Sequence, residues 1–363
     1  MMGTSIDRAA AGLGRPLALG SALLAALGAL ALVAGLATGR GGAVLGAMAA
    51  SWLFLAGLGA GAVALAAAVR VSHGRWADPV LHVAEAGAGF FAPALALLAL
   101  LLIGEAAGAP LGPVASLAAR SALLLGATLL VAGTGSRFVA LARAPGQPPW
   151  RVRGAAVAYL IGYAVGLSAW TWGLATELTS QPAFTVVPPL FFMGAFLSGL
   201  AGVALVAALR GLGGPDVRHD LGKLLFGLSV FWGYLLWSLV LPIWYGRVPR
   251  EAAVLLARGS GAARPVAVLV VAGVLAVPFV LLLLERWKRR RGTLAAGAAS
   301  VLLGLWAERF LLVRPPRSLT PDPWDLLAGG GVAAGLAGLF LLAVGGDLAD
   351  GPRPLEPPGP PAT

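Results

Sequence analysis

Apolar residues in this chain fill whole stretches of about 20 positions or more, and Arg, Lys, Asp, Glu, Gly and Pro collect in the segments between them. A helix needs about 20 mostly apolar residues to cross a bilayer. Ten stretches qualify: 16–38, 44–69, 83–104, 119–142, 154–176, 186–210, 221–242, 264–284, 293–313 and 327–345. The fourth holds Arg120 and Arg137 within its limits. Arg8 and Arg15 precede the first run as basic residues precede a signal peptide. That run is long, however, and its closest small-residue site is followed at once by another hydrophobic run, so it reads as a retained helix. The pattern predicts an all-α integral membrane domain over 1–345. A Pro/Gly-rich tail over 346–363 has little to bury and is expected to be disordered.

Composition narrows the chemistry. Of 363 residues 59% are hydrophobic and 11% charged, against roughly 25% charged in a soluble domain. The absence of cysteine excludes disulfides, Cys-ligated iron–sulfur clusters and covalent c-type haem. The three histidines, His73, His82 and His219, each sit near a charged connecting segment, which argues against a haem held by paired His inside the membrane. The expectation is a chain with no redox centre or metal of its own. Net charge is +11, but the basic residues fall between apolar runs, where topology requires them, and nucleic acid is not an expected partner.

Alternate loops divide the Lys and Arg unequally, seventeen on one side against eight on the other, with Arg309 left inside a span. The richer side includes both termini and the run Arg286, Lys288, Arg289, Arg290 and Arg291. By the positive-inside rule both termini are expected in the cytoplasm, in a bacterial inner membrane.

Spans two and six resemble each other. Residues 59–70 read GAGAVALAAAVR and residues 199–210 read GLAGVALVAALR, matching at seven of twelve positions, Gly59/Gly199 and Arg70/Arg210 among them. Ala, Val and Leu match by chance in any apolar helix, but a matched glycine and a matched terminal arginine at one depth do not follow from composition. Four spans separate the copies, so a true repeat is parallel. It predicts two four-helix bundles, 44–176 (spans 2–5) and 186–313 (spans 6–9), flanked by spans 1 and 10. Gly57 with Gly61, and Ser198 with Gly202, have the small-xxx-small spacing that lets helix backbones approach, and bundle packing is the expected use.

Ionisable groups at membrane depth are functional candidates. Glu85 lies just inside the third span, and it is either a proton-exchanging carboxyl or the partner of a loop arginine. Glu308 and Arg309 adjoin near the outer end of the ninth, where they also read as an interfacial pair with side chains reaching outward. Tyr234 and Ser238 share one face of the seventh, where interhelical hydrogen bonding is the plainer use. Asp220 reads as a cap or first-turn acid of that span. Trp244, Tyr245 and Trp324 stand at outer span ends, where aromatic rings favour the headgroup level. The segment 249–258, PREAAVLLAR, has the pattern of a short amphipathic helix. No nucleophile–base pair, phosphate loop or metal-ligand spacing occurs, which argues against an independent enzyme.

The stretch 224–258, LLFGLSVFWGYLLWSLVLPIWYGRVPREAAVLLAR, resembles the ActF family of membrane proteins from alternative complex III, a bacterial quinol:electron-acceptor oxidoreductase unrelated to cytochrome bc complexes. Trp232, Tyr234, Ser238, Ile243, Trp244, Pro249, Glu251 and Arg258 match the family's pattern there. Upstream, Trp172 and Glu177 match its Asp-Trp-x-x-Ser-Leu-Glu region, and Glu85 fits a glutamate near the start of the third helix. Downstream, 278–290 looks like its Pro-Phe-x-Leu-Leu segment. The chain departs from the family at Thr171 (Asp there), Leu239 (Gln), Arg247 (Asn) and Arg250 (Glu), which puts in doubt any polar path through those positions.

The resemblance implies the ten-helix fold of the polysulfide-reductase membrane-anchor superfamily and an accessory rather than independently catalytic role. It implies a quinone or menaquinone in the complex, with haem c and iron–sulfur clusters held by partners. Those partners would be a related ten-helix quinol-oxidising subunit, an iron–sulfur protein, multihaem and monohaem cytochromes c and small membrane subunits, with a terminal oxidase as an optional neighbour. A proton path, if this chain carries one, is expected to use Glu85, Tyr234, Ser238 and Glu308. Two other functions compete: a quinol-oxidising anchor for a periplasmic iron–sulfur or molybdenum enzyme, which requires a quinone pocket in this chain, and a free-standing transporter.

Overall fold

The computed structural model describes residues 2–107, 117–175, 185–247, 249–313 and 322–348. Among these every regular element is helical, and ten helices are long and apolar enough to cross a membrane. They are Arg15–Ala37, Gly41–Val71, Arg75–Ala106, Leu117–Arg143, Pro149–Leu174, Val187–Arg210, Gly214–Gly246, Gly261–Leu282, Arg291–Val313 and Pro323–Asp347, called spans 1 to 10 below. All ten fall on the stretches that the apolar pattern predicts, and the chain is a multi-pass integral membrane protein.

Prolines mark several starts. Pro16, Pro79, Pro149, Pro188, Pro215, Pro265 and Pro323 all lie in the first turn of a helix, where the missing N–H has no intrahelical partner to lose. Some helices extend beyond their apolar run. Span 7 begins at Gly214, seven residues before the hydropathy does. Asp220 is therefore past the first turn and pairs with Lys223 at 2.7 Å, while the first-turn acid is Asp216. Span 10 continues to Asp347, into the stretch read as tail, and 349–363 lie outside the described residues.

Span 2 is buried along nearly its whole length and forms the centre. It packs against spans 3 and 5, span 5 against span 4, and span 4 against span 3. Span 6 packs against spans 7 and 9, span 9 against span 8, and span 8 against span 7, in the same cyclic order. The two groups meet where span 2 lies along span 6. Gly57 and Gly61 both face Ala195 there, and a Cβ on Gly61 would collide with the Ala195 carbonyl. Gly199 faces the backbone of Gly61 and Ala62 as tightly, whereas Gly202 makes only ordinary contact with Leu58. The matched residues of the two similar segments have different partners: Gly59 faces Gly87 of span 3, and Arg70 and Arg210 serve different contacts. Spans 1 and 10 form a third unit in which Gly28 and Gly335 touch backbone to backbone.

Outside the membrane, Arg40 ties the first loop to the start of span 10 through Asp322 (2.9 Å) and Asp325 (2.7 Å). Hydrogen bonds from the Arg40 side chain and then from the Trp324 backbone hold the Asp322 carboxyl below the usual range. Glu285, in the loop between spans 8 and 9, is likewise lowered by its hydrogen bond from Arg289.

Candidate functional site

Among the described residues, three ion pairs are buried within the helices. Glu85 accepts from Arg70 at the end of span 2 (2.8 Å) and faces Arg143 at the end of span 4 (3.6 Å). Arg143 also reaches Asp347 of span 10 at 3.0 Å. The arrangement is the clamp of loop-side arginines allowed for by the sequence, and it ties four spans together at the basic face.

Glu105 and Arg120 pair across the ends of spans 3 and 4, both buried, with Glu105 Oε1 and Arg120 Nε left without partners. The sequence hides Glu105 because the apolar run ends one residue before it. The charge of Arg120, anomalous in an apolar run, is the signal that points to a buried partner.

The third pair is the most deeply enclosed. Arg309 Nη1 donates to Glu308 at 2.7 Å, and the guanidinium lies over the Phe191 ring of span 6. Arg309 is 1% exposed, so the pair does not reach outward as an interfacial reading requires. Span 9 turns both side chains into the protein because span 6 offers an aromatic face and, at Gly194, a gap beside the guanidinium. Tyr163 of span 5 lies within electrostatic range of Arg309, and its hydroxyl donates to the Phe192 carbonyl. Tyr159, one turn away, donates to the Ala60 carbonyl of span 2 at 2.7 Å. Both tyrosines are buried in mid-helix, and their i,i+4 spacing is a signal that hydropathy alone passes over.

Glu308 opens onto a cavity of about 350 Å³ lined mainly by apolar side chains of spans 6 to 9. Trp232, Leu239 and Arg258 line it too. Glu308 Oε1 and Trp232 Nε1 are both buried, and the indole N–H interacts with the Glu308 carboxylate at the cavity wall. The segment 249–258 is helical, as its amphipathic pattern predicts, and the helix Pro249–Gly259 packs as the outer wall of the cavity. Arg258 fastens it by donating to the Leu311 carbonyl at 2.9 Å, and Glu251 is buried in its first turn. Span 8 carries a π-helical turn at Ala272–Ala276, directly after the cavity-lining Val270 and Val271. Such turns are frequent at functional sites.

The four residues expected on one proton path are not brought together. Glu85 is at the basic face and Glu308 at the opposite end, while Tyr234 is 61% exposed on the outer surface of span 7. Ser238 does share a face with Tyr234, but its hydroxyl donates back to the Tyr234 carbonyl. Trp232 and Arg258 are buried at the cavity, Glu251 is buried in the first turn of the outer helix that Pro249 opens, and Trp172 and Trp244 face outward. Glu177 lies outside the described residues. Leu239 makes the cavity less polar than glutamine would, and Thr171 is buried and bonded to its own helix at Leu167. Arg247 ends span 7 at φ 46, and Arg250 is exposed.

Ten packed spans, with an acidic side chain facing an apolar cavity, define a multi-pass membrane protein. The profile of the NrfD family, described as polysulphide reductase, matches residues 35–317. The chain belongs to that family, whose members are membrane subunits of quinone-interacting oxidoreductases and typically partner iron–sulfur subunits. No curated protein matches the chain closely.

Proposed function

We propose that this chain is the integral membrane subunit of an alternative-complex-III-type quinol oxidoreductase, and that a quinol head group binds in the cavity beside Glu308. The observation that carries this reading is a buried carboxylate and an indole N–H that face each other on the wall of an apolar cavity. A quinol has a polar ring with two hydroxyls and an apolar tail, which is the chemistry such a cavity accommodates. In this reading Glu308 would accept a hydroxyl proton, with Arg309 holding the carboxylate, and Trp232 Nε1 would donate to a ring oxygen. Oxidation releases two protons and two electrons. The electrons would pass to an iron–sulfur cluster of a partner, since this chain has no cysteine to hold one. The two bundles, spans 2–5 and 6–9, would be the units of domain organisation, and the basic face would be cytoplasmic.

A mild-detergent pull-down of the tagged chain is expected to bring down c-type cytochromes, a large iron–sulfur protein and a second ten-helix protein. A photoreactive quinone analogue is expected to label the 232–239 segment, and Glu308→Gln should lower quinol oxidation at least tenfold. A chain that purifies alone, without haem absorbance, sinks the complex assignment. Unchanged labelling and turnover in Glu308→Gln would sink the cavity.

A further inference from the structure

Span 7 carries Arg218 one turn inside its basic end. The side chain is 8% exposed, its Nε donates to the Arg289 carbonyl at 3.0 Å, and its Nη1 is buried with no partner. Arg291 lies close enough to act on it electrostatically, with its guanidinium over the turn that joins spans 6 and 7. That approach depends on Gly211, whose φ is +69 and whose missing Cβ leaves the space the guanidinium fills. The fold therefore places two guanidinium groups within electrostatic range of each other and buries one of them.

The neighbouring carboxylates are already engaged. Asp216 and Glu285 both bind Arg289, and Asp220 binds Lys223. The positive-inside rule accounts for arginines in this loop, but not for burying one with a donor unused. A buried cationic donor without an acceptor is costly, and a guanidinium pair matches phosphate oxygens in geometry. Arg289, to whose carbonyl Arg218 donates, lines with Leu284, Glu285 and Arg286 a pocket of about 430 Å³, and Leu283 and Leu284 are exposed at the end of span 8.

We infer that Arg218 and Arg291 bind the phosphate of an anionic phospholipid, whose acyl chains run along Leu283 and Leu284. Basic pockets between helices at a membrane surface commonly take such head groups. A free phosphate would use the same two arginines but gain nothing from the leucines, and this is why the lipid is the favoured source.

Native mass spectrometry of the delipidated full-length protein, titrated with phosphatidylglycerol, phosphatidylcholine or inorganic phosphate, tests the inference. Phosphatidylglycerol is expected to bind at least about fivefold more tightly than phosphatidylcholine, and to lose that preference in Arg218→Gln. Because Arg218 also fastens the 289 carbonyl, Arg291→Gln, at an exposed position, serves as the second variant and should weaken the preference without affecting folding. Equal binding of the two lipids, or a preference untouched in both variants, overturns the site. Inorganic phosphate that displaces phosphatidylglycerol at equal concentration overturns the lipid as its source.

Discussion

The guanidinium of Arg309 stacks over Phe191 at 4.3 Å from the ring centroid while holding the carboxylate of its own neighbour, Glu308. One residue thereby gives Glu308 its counter-charge and spans 6 and 9 a shared contact. Removing it leaves a buried, unpaired carboxylate. Arg309→Met is expected to destabilise the protein by about 3–5 kcal/mol. Adding Glu308→Gln should restore more than half of that loss in a double-mutant cycle measured by unfolding in micelles. Strictly additive losses would mean the pair is not coupled.

The interface of spans 2 and 6 depends on absent side chains. Gly61→Leu and Gly199→Leu, each meeting backbone, are expected to abolish a monodisperse peak in size-exclusion chromatography. Gly202→Ala, with only Leu58 nearby, should change stability by no more than about 0.5 kcal/mol.

Two tyrosines separate interior from surface. Tyr163→Phe removes the bond to the Phe192 carbonyl and is expected to cost about 1 kcal/mol. Tyr234→Phe, on the outer surface, should leave both stability and quinol oxidation within error of the parent. Loss of turnover in Tyr234→Phe would return that residue to the functional path.

Arg247 closes span 7 in a left-handed conformation that strains an L-residue and suits asparagine better. Its side chain is exposed, so Arg247→Asn should raise stability by about 0.5–1 kcal/mol, read as an upward shift of Tm.

The Arg40–Asp322 link should respond to acid. A carboxyl whose folded pKa is lowered contributes stability above its unfolded value of 3.8, and that contribution fades as pH falls through the lower folded value. Asp322→Asn should therefore lower Tm at pH 7 and at pH 5 alike, with the difference from the parent vanishing well below pH 3.8. A difference that grows on acidification would contradict the assignment.

The ten spans were legible because a bilayer imposes a length on apolar runs, and no side-chain geometry is needed to see it. Their true ends were less so. Residues 75–82 and 214–220 are helical but polar, and hydropathy registers where a helix is apolar rather than where it stops. The site was half legible. Glu308 stood out as a charge at depth, and Trp232 and Arg258 stood out by resemblance, but adjacency in sequence could not reveal that Arg309 turns inward over Phe191. Nor could spacing tell the buried Trp232 from the exposed Tyr234 two residues later, since that depends on which face of span 7 meets spans 6 and 9.

Spans 1 and 10 meet where Gly28 and Gly335 leave no room for a methyl group between their backbones. Span 1 thus has its partner in span 10, with both inner bundles between them in chain order. Until span 10 is inserted, the Gly28 surface of span 1 lacks that partner, and their pairing waits on a long loop closure. A nascent chain arrested before residue 323 should remain open to membrane quality control, however complete its two inner bundles have become.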